Sequence, residues 1–171
     1  MKTNFKSITV DLFQLHDNLK QQWPGITRIA VAIYDDQTGM LHTFVKSSPD
    51  MKMLSHYSMA LSEVPSLLEL SKTGEARVIQ DLSVLKNGRT QHSQEISEHF
   101  KASYTEPFYM GDKLQGFIFF DANEEGFFTE ELNVQLRTYA HLIESLIVSE
   151  ILPIKSLVGM VDTAREITSV R

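Results

Sequence analysis

The sequence predicts an α+β domain in which helices cover one antiparallel β-sheet. Two pairs of strand-forming segments, each joined by a short polar turn, lie on either side of the middle of the chain, and hairpin strands pair antiparallel. A long amphipathic segment lies near each end, with shorter helical segments between. Hydrophobic residues make up 42% and charged residues 22% of the 171 positions, as in ordinary globular domains. We expect the long helices on one face of the sheet and the short helices and loops on the other.

The first segments predict a helix followed by a hairpin. Apolar residues recur at every third or fourth position along one narrow stripe: Phe5, Ile8, Leu12, Leu15 and Leu19. Pro24 and Gly25 end this helix. Branched apolar residues alternate with other residues over 27–34, which predicts a strand. The polar turn 35–39 then leads to a returning strand over 41–46.

The middle of the chain predicts short elements. Residues 57–61 fit a short strand. A helix is expected over 65–72, because a proline lies in its first turn and a glycine follows its end. Residues 77–79 fit another short strand and 81–91 a loop. A short helix over 93–99 completes this region.

The last segments predict a second hairpin and a long helix. Strands are expected over 103–109 and 114–121, and Gly116 inside the second strand indicates a bulge or a close approach of another chain segment. Thr129 is a suitable N-cap for a helix that continues to residue 150. Its first turn is acidic, as the helix dipole favours.

Composition excludes several classes of function. The chain has no cysteine, which excludes disulfides, thiolate zinc sites, cysteine nucleophiles and a bilin held through a thioether. Its 16 basic and 22 acidic residues give a net charge of −6, so no nucleic acid partner is expected. No apolar run approaches the roughly 20 residues of a membrane span, and the start lacks the apolar region of a signal peptide. We expect a cytoplasmic protein that does not associate with membranes.

The polar residues indicate no catalytic or metal site. His92, Glu95 and His99 share one helical face and could hold zinc or iron. A solvated polar helix, with Glu95 and His99 as an i,i+4 pair, explains the same spacing, and we favour it. The remaining histidines accompany no nucleophile motif, and the chain contains no glycine-rich phosphate loop.

Three motifs together resemble the GAF domain family. They are the stretch 74–82 after the middle helix, the closing hairpin in 104–109 and 116–121, and the Phe-Thr-Glu-Glu-Leu start of the last helix at 128–132. The resemblance covers residues 5–150. It implies a sheet of five or six strands, a pocket on the face away from the terminal helices, and dimerisation through those helices. The cyclic-nucleotide signature of some members is not matched, because Asn123 is followed by Glu124 rather than lysine.

The chain is predicted to divide at residue 150. Residues 1–150 form the GAF-like sensory domain in this interpretation. Residues 157–166 resemble the opening helix of an HD-GYP phosphohydrolase domain. The resemblance implies that 151–171 form a linker helix leading to an output domain outside this chain, a cyclic di-GMP phosphodiesterase.

A ligand pocket is predicted from aromatic residues. We expect Phe44, Tyr57, Tyr104 and Phe119 to line it, with Glu106 as a polar anchor, because ligand sites are mostly apolar with a few placed polar groups. Plain core packing is the alternative, since aromatic residues are common on strands. The residues identify no particular ligand or cofactor.

Three functions follow as hypotheses. The first is a sensory domain that binds a small molecule or relays a signal through its terminal helices. The second is a structural dimerisation module without a ligand. The third, an enzyme such as the GAF-like methionine sulfoxide reductase, would need cysteine chemistry that this chain lacks. We expect no catalysis by the chain itself.

A homodimer is predicted from the length of the last helix. It should extend past the end of the sheet, because a six-residue strand spans only about 20 Å. Its exposed apolar residues would then form an interface between two copies, together with the stripe of the first helix. The residues expected to be exposed are Ile147, Ile151, Ile154, Leu157 and Val161.

Overall fold

A computed structural model of the chain describes residues 5–48, 58–85, 91–150 and 155. Its strands are β1 (Ile26–Asp35), β2 (Met40–Ser47), β3 (Ser58–Ala60), β4 (Arg77–Ile79), β5 (Ala102–Met110) and β6 (Lys113–Ala122). Its helices are α1 (Phe5–Gln22), α2 (Pro65–Thr73), α3 (Gln91–His99) and α4 (Glu130–Val148), with 3₁₀ turns at Leu61–Glu63 and Leu82–Leu85. The predicted order of elements is confirmed for residues 5–150, although the segment predicted as a loop over 81–91 contains a 3₁₀ turn and the start of α3. The linker helix predicted over 151–171 lies outside the described residues, apart from residue 155.

One six-stranded sheet organises the described residues, in the order β3-β2-β1-β6-β5-β4. All five neighbouring pairs are antiparallel. The two ten-residue strands, β1 and β6, lie at the centre, and the three-residue strands β3 and β4 lie at the edges. The predicted α+β class with an antiparallel sheet is therefore confirmed.

The terminal helices α1 and α4 cover one face of this sheet, as predicted. They contact each other, and α1 also contacts β1 and β2 while α4 contacts β5. Ile29, Val31 and Ile33 of β1 and Ile118 and Phe120 of β6 enter the apolar cluster that the helices close. We call this side the helix face.

The opposite side of the sheet carries a separate apolar cluster and is called the cavity face. Ala30 and Ala32 of β1 and Phe117 and Phe119 of β6 belong to it. Leucines of α2 and of the 3₁₀ turn before it cover these residues. The two clusters alternate along the same strands because successive side chains of a strand point to opposite faces.

The predicted overhang of the last helix is wrong at Ile147. Ile147, expected on the surface, is fully buried in the apolar cluster of the helix face. The central strands have ten residues each and span about 33 Å, whereas the 19-residue α4 spans about 28 Å. The sheet is therefore long enough to support the whole helix. The other four residues of the predicted patch lie outside the described residues.

Gly116 marks a close approach, as its position in a strand predicted. A Cβ atom built there would lie 2.0 Å from the carbonyl oxygen of Ala32 and 2.9 Å from the ring of Phe108. Gly116 pairs with Ile33 of β1 and with Phe108 of β5. The absence of a side chain thus allows the strands to pack closely at the centre of the sheet.

The described helices include none that is both long and apolar enough to cross a membrane.

Candidate ligand-binding face

Two small cavities lie side by side on the cavity face. One has a volume of about 20 Å³ and the other of about 40 Å³. Leu67 of α2 and Phe119 of β6 line both of them. The smaller lies over β1 and β2, beside Arg28 and Thr43. The larger lies towards β4 and β5, beside Arg77 and Ser103. We call the larger one the Arg77 cavity.

A buried ion pair lies between the two cavities. Nη1 of Arg28 is 2.6 Å from Oδ2 of Asp121, and each residue is at most 2% exposed. Ser103 donates a hydrogen bond of 2.7 Å to the other carboxylate oxygen of Asp121. The ring of Phe100 lies below the guanidinium group of Arg28, with 5.6 Å from Cζ to the ring centroid. The ion pair, the serine hydroxyl and the aromatic ring together hold this charge pair in place.

Arg77 is the second cation of the cavity face. Its Nη1 donates to the Ser66 hydroxyl at 2.5 Å and its Nη2 to the Thr105 hydroxyl at 3.3 Å. Burial lowers the pKa of Arg77 to about 10, while the charge of Asp121 acts in the opposite direction. The side chain is therefore protonated at neutral pH, although it bonds only to neutral hydroxyl groups.

The structure does not bring the five predicted ligand residues together. Phe119 lines both cavities, whereas Phe44 and Tyr104 belong to the apolar cluster of the helix face. Glu106 lies on that same side, bonded to Tyr104. Tyr57 lies outside the described residues. Contact of any of the five with a ligand stays a prediction, but Phe44, Tyr104 and Glu106 lie across the sheet from the cavities.

Tyr104 and Glu106 instead connect the sheet to α4. The Tyr104 hydroxyl donates to Oε2 of Glu106 at 2.5 Å, and Nε of Arg137 on α4 lies 3.5 Å from Oε1. Burial, together with the bond to Glu106, raises the pKa of Tyr104 well above its usual value. Burial likewise raises the pKa of Glu144, further along α4. The ion pair between Glu106 and Arg137 is thus a polar contact between β5 and α4.

The strand register explains this separation. Thr105 of β5 pairs with Phe119 of β6, and Tyr104 pairs with Phe120. Cross-strand partners share a face, so Thr105 lies on the cavity face with Phe119 and Tyr104 lies on the helix face. A set chosen by aromatic character alone mixed residues of the two faces.

Sequence reasoning missed the charged residues of the cavity face, Arg28, Arg77 and Asp121. Two of them gave a usable signal, because Arg28 directly precedes the apolar run 29–33 of β1 and Asp121 directly follows the apolar run 117–120 of β6. Charged residues are almost never fully buried unless they are paired. A pair of opposite charges in two central strands therefore indicated a buried contact. Arg77 gave no such signal, since it begins a strand of only three residues.

The metal alternative at His92, Glu95 and His99 is not tested by the described residues. No group of three histidine, aspartate or glutamate residues among them could hold a metal ion. Glu95 and His92 fall within α3, but their side chains lie outside what is described.

Comparison with known proteins gives structural matches only. No protein-family model and no curated protein matches the chain. A GAF domain/HD domain protein from Geobacter sulfurreducens matches with a TM-score of 0.66 at 15% identity, over 89% of this chain and 97% of that one. The GAF domain of an Acinetobacter phosphoenolpyruvate-protein phosphotransferase matches at 0.63 and 14% identity, over 85% and 82%.

An enzyme has the same architecture. The type II free methionine-R-sulfoxide reductase from Thermoplasma acidophilum matches with a TM-score of 0.62 at 13% identity, over 83% of this chain and 92% of that one. Sensory and catalytic proteins thus share this arrangement of sheet and helices, and at such identities the likeness establishes architecture rather than activity. The sheet order, the terminal helices on one face and these matches show that the chain has the GAF fold.

Proposed function

We propose that the chain is a sensory module in which a small molecule occupies the cavity face and the terminal helices transmit the change. The observation that carries the proposal is that the central strands contribute side chains to both faces of the sheet. Phe119 lines the cavities while its neighbour Phe120 lies in the cluster under the terminal helices. Packed cores do not deform continuously. A ligand that shifts β6 would therefore favour one of two positions of α4.

The proposal extends to an output domain of the HD-GYP type and to a cytoplasmic location. Support comes from the Geobacter structure, whose description combines a GAF and an HD domain, and from the resemblance at residues 157–166. Purified full-length gene product should then hydrolyse cyclic di-GMP, and residues 1–171 alone should not. Hydrolysis by the isolated chain in independent preparations would contradict its regulatory role. Fractionation of producing cells tests the location.

We also propose that the chain itself catalyses nothing. The support is its lack of cysteine, because reduction of a methionine sulfoxide by this fold would need a thiol. Incubation with free methionine sulfoxide and dithiothreitol tests this directly. Methionine formed in proportion to the protein would overturn the proposal.

Native mass spectrometry of gently purified protein tests ligand binding. We expect an adduct that is lost on denaturation. Phe119→Trp should abolish the adduct, because the larger ring fills the space that the cavities share. Val84→Trp is the control, since Val84 is 69% exposed. An adduct retained by Phe119→Trp would contradict this location for the ligand.

A structural dimerisation module is the second candidate, and the small cavities favour it. Their volumes of about 20 and 40 Å³ correspond to only a few water-sized spheres. Absence of any adduct in the unmodified chain would support this function over sensing.

Both candidates include a homodimer through the terminal helices. Val10 of α1 and Val134 and Leu142 of α4 are large apolar residues with 44% or more of their surface exposed, which suits an interface. Sedimentation of the double variant Val134→Glu, Leu142→Glu should show a monomer, whereas Val84→Glu should leave the dimer intact. A monomeric unmodified chain at tens of micromolar would exclude the dimer.

A further inference from the structure

We propose that the Arg77 cavity binds a small oxyanion, a carboxylate or phosphate group, through the guanidinium group of Arg77. This inference rests on the proposed sensory function and specifies the chemical class of its ligand. The observations that carry it are the charge balance of the cavity, an unused hydrogen-bond donor and the size of the space.

The charges that line the cavity are unequal. Asp121 is its only carboxylate among the described lining residues, and Arg28 and Ser103 already occupy both oxygens of that carboxylate. No carboxylate of the described residues lies within ion-pair distance of Arg77. The described residues that line the two cavities therefore include two guanidinium groups and one carboxylate, so the charge of Arg77 has no paired carboxylate among them.

The guanidinium group of Arg77 also has a donor to spare. Its Nε is buried and has no hydrogen-bond partner among the described residues. Its other nitrogens bond to the hydroxyls of Ser66 and Thr105, which are neutral acceptors. A buried donor without an acceptor costs free energy, and the flat guanidinium group matches the paired oxygens of a carboxylate or phosphate.

The space fits a small group. A cavity needs about 10–15 Å³ to hold one water-sized sphere, so the 40 Å³ of the Arg77 cavity hold about three. A carboxylate has three heavy atoms. The remaining lining is largely apolar and includes Leu82, Leu85 and Ile96. Exclusion of water by such walls strengthens the attraction between a cation and a bound anion.

Water is the alternative occupant of the Arg77 cavity, and it differs from an oxyanion because it carries no charge. A water molecule can accept a hydrogen bond from Nε but leaves the charge of the partly buried guanidinium group uncompensated. The lowered pKa of Arg77 reflects this burial, because removal from bulk solvent disfavours the charged form. An oxyanion satisfies the donor and compensates the charge together.

Thermal unfolding with defined probes tests the inference. The midpoint is measured at pH 7 against increasing inorganic phosphate, acetate and malonate, with chloride at matched ionic strength as the reference. Separate titrations distinguish a phosphate ligand from a carboxylate ligand. We expect one of the three probes to raise the midpoint with the logarithm of its concentration, as a ligand specific for the native state does, and chloride to leave it unchanged.

Matched arginine variants locate the effect. Arg77→Gln should weaken binding of the effective probe by at least about tenfold, since it removes a charge-assisted hydrogen bond. Arg137→Gln is the control, because Arg137 lies on α4 across the sheet with a 60% exposed side chain. If Arg77→Gln does not fold, Arg77→Lys is tested instead. It keeps the charge but lacks the flat guanidinium group, and it should bind the probe measurably more weakly than the unmodified chain.

Three outcomes would overturn the inference. Equal stabilisation of Arg77→Gln and the unmodified chain would show general exclusion of salt from the surface rather than a site. Absence of stabilisation by all three probes would assign the cavity to water. An uncharged adduct in native mass spectrometry that Phe119→Trp removes would reject the oxyanion but remain consistent with the sensory function. If neither an adduct nor stabilisation is found, the oxyanion and the sensory function are both rejected.

Discussion

The two faces of the sheet have different interiors although they are built from the same strands. The helix face buries a continuous apolar cluster that extends from α1 across β1 and β6 to the last turn of α4. The cavity face has a smaller apolar cluster, interrupted by the Arg28–Asp121 pair and by two cavities. Tight packing on the helix face should supply most of the stability, and the polar, incompletely filled cavity face is where we propose that a ligand binds. Adjacent residues on one strand therefore serve different purposes.

Phe120→Ala and Phe119→Ala test this difference most strongly. Both remove a phenyl ring from β6, one on each face. Phe120 is fully buried, so its truncation should lower the free energy of unfolding by about 3–5 kcal/mol. Phe119 already borders the cavities and loses fewer contacts, and its truncation should cost about 1–2 kcal/mol less. Urea denaturation measures both values, and equal losses would contradict the contrast between the faces.

Asp121→Asn tests the buried ion pair of the cavity face. The substitution leaves the Arg28 charge without its counter-charge in a site that is at most 2% exposed. Loss of one partner of a buried pair should lower the free energy of unfolding by about 3 kcal/mol. The matched control is Asp17→Asn, which removes the exposed pair with Lys20 at 3.1 Å and should cost less than about 1 kcal/mol. Similar costs would mean that water reaches the buried pair.

Gly116→Ala tests the close packing of the central strands. The new methyl group would meet the carbonyl oxygen of Ala32, which is backbone and cannot rotate away. The expected loss is about 1–3 kcal/mol, the usual cost of overpacking. Gly39→Ala at the β1–β2 turn is the comparison, because nothing lies within 4 Å of a Cβ there and only its φ of 73° opposes the substitution. Calorimetry that finds Gly116→Ala as stable as the unmodified chain would contradict the packing.

The smallest expected effect is a dependence of stability on pH, which arises from His16 on the helix face. The ring lies between the Ser47 hydroxyl, 2.7 Å from Nδ1, and the Ile26 carbonyl oxygen, 2.8 Å from Nε2. Burial lowers the pKa of His16, with Lys20 lowering it further, while the Ile26 carbonyl and Asp17 raise it. The neutral ring is therefore the form favoured in the folded state.

The direction of the pH effect follows from that pKa. Above pH 6.5 the ring is neutral in both states, and its contribution to stability is fully present. As the pH falls below 6.5 the unfolded chain takes up the proton first, so stability decreases until the folded pKa is passed. His16→Gln keeps a donor for the Ile26 carbonyl and cannot titrate. Its stability profile between pH 7 and 5 should be flatter than that of the unmodified chain, and parallel profiles would refute the assignment.

The sequence predicted the fold more completely than the candidate site. Alternation over 27–34 and the two polar turns identify the hairpins, because period and turn chemistry are local properties. The face on which Tyr104 lies depends on its register with Phe120, which is set by pairing between distant strands. The overhang assigned to Ile147 was wrong because strand length at the centre of the sheet was underestimated. Arg77 became a candidate only when folding brought Ser66 and Thr105 beside it.

The short strands at the two edges have a consequence for how copies of the chain can meet. An exposed edge strand offers unpaired backbone groups to which another chain can add a strand. Such addition is the first step of cross-β fibril formation. Here β3 and β4 have three residues each, while the long strands β1 and β6 are paired on both sides. A strand added at either edge would gain only a few backbone hydrogen bonds. Growth of the sheet from one molecule into the next is therefore disfavoured, and the domain can be present at high local concentration without forming fibres through its sheet.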